Sequence, residues 1–137
     1  MIEGISHITF IVKDLEKMKR LLIEVLGGEE IYSSGEETFS ISREKFFLVN
    51  GIWIAIMEGE SLSERTYNHV AFKVRPEDLP RYRSTIEQLG LEKRESRSRV
   101  DGEGKSIYFY DYDNHLFELH TGTLDDRLSR YAEGKPV

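Results

Sequence analysis

In the first half of this chain apolar positions change period twice, from loose alternation to helical spacing and back to alternation. Ile5 to Val12 alternates loosely and is rich in Ile, Thr and Val, which predicts a strand. From about Asp14 to Leu26, the residues Leu15, Met18, Leu21, Leu22, Val25 and Leu26 recur at helical spacing, with Asp14 as N-cap and Gly27-Gly28 as the stop. Strand candidates follow at Glu30 to Ser33, at Thr38 to Ser42, and over Phe46 to Glu58, the last broken into two pieces at Asn50-Gly51. The first half reads βαβββ.

A second round repeats the order. A strand runs from Tyr67 to Val74; Pro76 and the acidic pair Glu77-Asp78 then open a helix carrying Leu79, Tyr82, Ile86 and Leu89, closed by Gly90. Strands are predicted near Leu91 to Arg94, Ser106 to Tyr110 and Leu116 to Leu119, the last two joined by the turn Asp111-Tyr112-Asp113-Asn114. Thr123, followed three residues later by Asp126, resembles a capping box and starts a short final helix with the stripe Leu124, Leu128 and Tyr131, after which Gly134-Lys135-Pro136 frays. The expected fold is α+β: one domain over residues 1–137, made of two tandem βαβββ modules at about 4–60 and 65–122 and a C-terminal helix at about 123–133.

Length and composition support one domain, since 137 residues at 39% hydrophobic suffice for one core and not for two independent ones. A net charge of -6 argues against a nucleic-acid partner, which needs a basic face, while leaving room for a local basic site that takes a small anion. No run of about 18 apolar residues offers a membrane span, and Met1-Ile2-Glu3 lacks a secretory layout, so a cytoplasmic location is expected. Without cysteine, any metal must be held by nitrogen and oxygen.

The candidate chemistry lies where polar residues interrupt the strands. His7 in Gly4-Ile5-Ser6-His7-Ile8-Thr9 and His69 in Thr66-Tyr67-Asn68-His69-Val70-Ala71 open the two rounds at a shift of 62 residues, and Glu118 interrupts the apolar Leu116-Phe117-Leu119. A single strand His is more often a hydrogen-bonded core or surface residue; the paired placement favours ligands, and a buried carboxylate needs a cation or a partner. The same shift maps Glu118 back to Ile56, so a site with four symmetric ligands is unavailable, and three protein ligands leave positions open for substrate. Such a set suits Mn, Fe, Zn, Co or Ni. His115 and His120, without counterparts in the first half, are expected as turn residues and as residues behind the ligands or at the surface, and Trp53, Phe46 and Phe47 belong to the core or to an interface. The basic run Lys93-Arg94-Glu95-Ser96-Arg97-Ser98-Arg99 holds no aromatic residue and is expected as a solvated loop near an anionic substrate.

Together with Arg65-Thr66-Tyr67-Asn68-His69-Val70-Ala71-Phe72, Ser106-Ile107-Tyr108-Phe109-Tyr110-Asp111, Asp113-Asn114-His115-Leu116-Phe117-Glu118-Leu119-His120 and Thr121-Gly122-Thr123-Leu124-Asp125-Asp126-Arg127-Leu128, these motifs resemble the vicinal oxygen chelate (glyoxalase-like) superfamily. Within it the chain looks most like the fosfomycin-resistance proteins of the FosX type. That resemblance implies hydrolysis of the fosfomycin epoxide to a vicinal diol, with Mn(II) held by His7, His69 and Glu118 and with Glu44 as general base. It also implies a homodimer in which modules pair across chains, so that His7 of one subunit joins His69 and Glu118 of the other. Thr9 shares a strand face with His7, and Ser106 shares one with Tyr108. With Arg127, Lys105 and Tyr67 they are the expected phosphonate contacts.

Two departures separate the chain from relatives that add thiols. Gly102 replaces a serine of the potassium-binding loop found in the glutathione transferases, and Thr9 stands where the bacillithiol or cysteine transferases carry a cysteine. The alternatives are thiol transfer to fosfomycin and, from another class, a non-catalytic protein that sequesters the drug. Isomerisation of the glyoxalase sort usually wants the fourth ligand missing at Ile56, and by resemblance to the superfamily alone the small size disfavours Fe(II) dioxygenation.

Overall fold

The computed structural model describes residues 1–95 and 104–134, which divide into two compact units: Met1–Glu64 with Asp111–Asn114, and Arg65–Tyr110 with His115–Val137. In the first, β1 (Ile8–Val12), α1 (Leu15–Glu24), β2 (Glu29–Ser33), β3 (Glu44–Val49) and β4 (Ile52–Glu58) form a four-stranded sheet of order β1-β4-β3-β2. In the second, β5 (His69–Lys73), α2 (Leu79–Gln88), β6 (Lys93–Arg94), β7 (Ser106–Tyr110) and β8 (Leu116–His120) repeat it as β5-β8-β7-β6, and α3 (Leu124–Gly134) follows. Each sheet pairs its first and last strands in parallel and the rest antiparallel. The tandem βαβββ reading and the C-terminal helix therefore hold.

Side chains alternate across each sheet, so the register assigns them to faces. In the first unit Phe10, Val12, Phe47, Ile54 and Ile56 share one face, and all are buried. Helix α1 covers this face, burying Leu15, Met18, Leu21 and Leu22; Lys45, also on it, pairs with Glu16 of that helix at 3.4 Å. Burying side chains of this size contributes about 1.5–3 kcal/mol each. The Asp14 carboxylate caps α1, accepting from the N–H groups of Glu16 and Lys17. In the second unit Val70, Phe72, Ile107, Phe109, Phe117 and Leu119 take the corresponding face. The opposite face of each sheet carries the polar residues of interest.

Turn chemistry fixes the hairpins. Asn50 and Gly51, at φ 46° and 80°, form the two-residue connection between β3 and β4, in the left-handed conformations that match strand twist. Between β7 and β8, the Asp111 carboxylate accepts from the Asp113 N–H at 2.8 Å, and Asn114 adopts φ 72°. The buried Asp113 carboxylate in turn accepts from the Lys13 N–H and from the Ser61 hydroxyl.

Three expectations change. Thr38 to Ser42 forms no strand; Phe39 and Ile41 are 73% and 85% exposed, and the two pieces of the Phe46 to Glu58 stretch, with the first starting earlier at Glu44, provide β3 and β4 instead. The strand near Leu91 shortens to Lys93–Arg94, because Leu91 donates its N–H to the Ile86 carbonyl and stays with the end of α2. A 3-10 turn, Pro76–Asp78, precedes α2, which begins only at Leu79. The Ser96 to Arg99 part of the basic run, the loop around Gly102, and Lys135-Pro136 lie outside the described residues. Among the described residues, no helix is long and apolar enough to cross a membrane.

Candidate active site

In the second unit, His69 lies opposite Leu116 across the parallel β5–β8 pair, so Glu118, two residues further along β8, shares its face. The His69 Nε2 and Glu118 Oε1 atoms stand 3.0 Å apart. His69 Nδ1 is 2.7 Å from the Tyr67 carbonyl oxygen, which can only accept, so the ring proton sits on Nδ1. Nε2 and the carboxylate, only 3% exposed, then converge across 3.0 Å on a point where a proton or a divalent cation can be shared. An imidazole that donates its other N–H to a carbonyl is also the usual arrangement of a metal ligand.

The other Glu118 oxygen is held from the neighbouring strand. Ser106 on β7 lies opposite His120 on β8, and its hydroxyl is 2.5 Å from Glu118 Oε2 and 2.7 Å from His120 Nδ1. Tyr108, opposite Glu118, is 2% exposed and bonds through its hydroxyl to that of Tyr67 at 3.0 Å. Arg127, near the start of α3, reaches His120 Nε2 at 3.4 Å. Arg94 lies over the Tyr67 ring and donates to the Tyr110 hydroxyl. A cavity of about 340 Å³ opens beside Ser106 and Tyr108, rimmed by Arg83, Lys93 and Arg94.

In the first unit, the face opposite α1 carries Thr9, Phe46, Trp53, Ala55 and Glu44, with His7 just before β1. The His7 ring packs against Trp53 at a centroid distance of 4.2 Å, and Phe46 meets Trp53 edge-on at 5.2 Å. Phe47 instead points into the core, fully buried. Glu44 is 8% exposed, and its Oε2 has no hydrogen-bond partner among the described residues. Its flanking cations are occupied elsewhere. Arg43 forms a bidentate pair with Glu58, whose carboxyl it holds below the usual range, chiefly by hydrogen bonding. Lys45 pairs with Glu30 at 2.9 Å on the helix side.

The profile of the Glyoxalase/Bleomycin resistance protein/Dioxygenase superfamily matches residues 4–119. The chain belongs to this superfamily, in its fosfomycin-resistance branch. It is 63% identical over 131 residues to the fosfomycin resistance protein FosX of Listeria innocua, a match covering 96% of this chain and 98% of the relative. A crystal structure of a FosX mutant from Listeria monocytogenes, complexed with Mn(II) and 1S,2S-dihydroxypropylphosphonic acid, superposes with a TM-score of 0.88 at 58% identity, covering 96% of this chain and 99% of that one. The metallothiol transferase FosB of Bacillus licheniformis is more distant, 36% identical over 139 residues, covering 97% of this chain and 84% of its own length.

Read as two rounds of the superfamily's βαβββ unit, the registers give residue equivalences that a constant shift misses. Thr9 pairs with Ala55 as Ala71 pairs with Glu118, so the counterpart of Glu118 is Ala55 and not Ile56, which faces the core. The first round still offers no carboxylate there. Of the expected residues, the second unit brings together His69, Glu118, Ser106, Tyr108 and Tyr67, with Arg127 reached through His120. Lys105 is exposed, and its backbone pairs with Thr121. His7, Thr9 and Glu44 belong to the first unit, and among the described residues no group of three His, Asp or Glu side chains stands together as a metal site. His120, two residues after Glu118 on one strand face, lies against Ser106 and Glu118, where a residue that supports a ligand would stand.

Proposed function

We propose that this chain is a cytoplasmic, Mn(II)-dependent hydrolase that opens the epoxide of fosfomycin with water, giving a vicinal diol and so resistance to the drug. The observation that carries the reading is Glu44: a buried carboxylate with one oxygen unpartnered among the described residues, on the same sheet face as Thr9 and next to Phe46 on that face. A carboxylate in that state is a proton acceptor in search of a donor, and water is the donor the reaction provides. The relative complexed with Mn(II) and a dihydroxypropylphosphonic acid supports the same chemistry, because that diol is an epoxypropylphosphonate plus one water.

His69 and Glu118 would hold the cation, joined by His7 of a second copy in a homodimer. Support for a covering partner comes from the exposed apolar side chains Ile2, Ile5, Phe39 and Ile41 in the first unit, and Leu124 and Leu128 in the second. When bound, the cation supplies electrophilic stabilisation of the negative charge that develops on the epoxide oxygen. Glu44 takes a proton from the attacking water as its oxygen bonds to the carbon next to phosphorus and the ring C–O bond breaks; the released oxygen is then protonated from solvent. Arg127 and Lys105 supply positive charge for the phosphonate, and Tyr108, Tyr67 and Thr9 supply hydroxyl donors. Ser106, with its proton directed at Glu118, meets the phosphonate only if it turns away from that carboxylate.

Phosphorus NMR of fosfomycin with the Mn(II)-loaded protein tests the reading. Conversion to the diol without thiol is the expected result. Consumption that starts only when glutathione, cysteine or bacillithiol is added favours thiol transfer, and tight binding without consumption favours sequestration.

A further inference from the structure

We propose that His120 is a positioning residue, which fixes the Glu118 carboxylate through Ser106. The inference rests on the reading that His69 and Glu118 hold a divalent cation, and it concerns how one of those two side chains is kept in place.

His120 and Glu118 lie two residues apart on β8 and therefore on one face, with Ser106 directly across from His120 on β7. The Ser106 hydroxyl sits 2.7 Å from His120 Nδ1 and 2.5 Å from Glu118 Oε2, while the direct Nδ1 to Oε2 distance is 3.4 Å, so the serine is the better contact for both. On the far side of the ring, the Arg127 guanidinium reaches Nε2 at 3.4 Å.

A guanidinium only donates, which makes Nε2 the acceptor and leaves the ring proton on Nδ1. That proton points at Ser106, whose oxygen accepts it and whose own proton goes to the carboxylate. Every donor in the chain Arg127, His120, Ser106, Glu118 thus points toward Glu118. The result divides the carboxylate: Oε2 is tied down from β7, and Oε1 is presented to His69 Nε2 at 3.0 Å. A carboxylate free to rotate would offer either oxygen, or both, and would lose rotamer freedom only on binding the ion.

Packing keeps the ring where the chain needs it. Gly104 adopts φ +106°, and a Cβ there would stand 3.2 Å from His120 Cε1 and 2.7 Å from the Gly122 nitrogen. Glycine at 104 lets the segment before β7 close directly onto the imidazole, and the Lys105 and Thr121 backbones then bond to each other on either side.

The test is Mn(II) affinity, read by electron paramagnetic resonance of free Mn(II), on full-length protein and His120→Phe, His120→Asn, Ser106→Ala and the double variant His120→Phe/Ser106→Ala. His120→Phe and Ser106→Ala should each weaken Mn(II) binding about 10–100-fold, the double variant should be no weaker than Ser106→Ala, and His120→Asn, whose amide can replace the Nδ1 donor, should recover most of the loss. Wild-type affinity in His120→Phe, additive losses in the double variant, or His120→Asn as weak as His120→Phe would each overturn the assignment. Should His120→Phe fail to fold, Ser106→Ala and His120→Asn carry the test: unchanged affinity in the serine variant rejects the chain. Because the readout is metal binding, a protein that binds Mn(II) in this pattern and hydrolyses no fosfomycin would sink the proposed activity alone, whereas a wild type that binds no Mn(II) would sink the reading beneath both.

Discussion

Glu44 stands in the first sheet where Ser106 stands in the second. Glu44 pairs with Met57 and Ser106 with His120, and the neighbouring pairs Phe46–Ala55 and Tyr108–Glu118 match in turn. One round places at this position a buried acid with an oxygen unpartnered among the described residues, and the other places the hydroxyl that holds the carboxylate of the candidate metal pair. The duplicated scaffold thus carries different chemistry at one equivalent point: a proton acceptor on one sheet, and support for a ligand on the other.

Replacing Glu44 by Gln should lower diol formation by about 100-fold or more, the scale on which general bases act, and leave Mn(II) affinity within about 2-fold of wild type. Thermal stability should not fall. The wild-type carboxylate is buried with an unpartnered oxygen, and a neutral amide removes that desolvation cost. Rates from phosphorus NMR and melting curves on the same samples check both halves. Unchanged hydrolysis would remove Glu44 from the mechanism.

Shared sites can be tested by complementation. His7→Ala and Glu118→Gln homodimers should each be nearly inactive. After mixing and exchange, about a quarter of wild-type activity should return, because half the dimers are hybrids and each hybrid has one intact site. No recovery, with hybrid formation verified by native mass spectrometry, would place all three ligands within one chain.

Arg127→Ala should raise the fosfomycin KM about 10–100-fold, the range expected for losing a charge-assisted hydrogen bond to an oxyanion. A steady-state titration suffices. An unaltered KM would reject Arg127 as an anchor.

The Glu30–Lys45 pair on the helix side predicts an acid-sensitive contribution to stability. The Lys45 hydrogen bond, opposed by some burial, holds the Glu30 carboxyl below its ordinary 4.5. Burial alone would lower the Lys45 ammonium, but the Glu30 hydrogen bond and the charges of Glu30 and Glu16 outweigh it and raise the group. A depressed carboxyl stabilises the fold fully above its unfolded pKa, and that contribution is lost as pH falls through the folded value. Wild-type melting temperature should therefore drop as pH falls below about 4.5 more steeply than that of Glu30→Gln. Parallel melting curves for the two proteins over that range would contradict the assignment.

Much of this was legible in the sequence because periodicity and punctuation agreed. Asp14, Leu15, Met18, Leu21 and Leu22 specify α1 and its cap, and Asn50-Gly51 marks the hairpin. Thr123 accepts from the Asp126 N–H at 3.1 Å, as the capping pattern implies. Alternation misled at Thr38-Phe39-Ser40-Ile41-Ser42, where a strand-like pattern finds no ladder partner and leaves both apolar residues exposed. The constant shift of 62 placed His7 and His69 correctly at the heads of their strands but slipped by one at Glu118, since one additional residue between strands is invisible to it. What no pattern in a single sequence reveals is direction: that Arg43 and Lys45 turn to other carboxylates and leave Glu44 alone, or that Ser106 faces Glu118.

The most direct test of the central claim is to run the reaction in water enriched in the heavy oxygen isotope, with Mn(II)-loaded protein and no thiol, and to examine the product by mass spectrometry. The expected product is a diol carrying one labelled oxygen, on the carbon bonded to phosphorus. An unlabelled diol, a label on the other carbon, or no product until a thiol is supplied would contradict it.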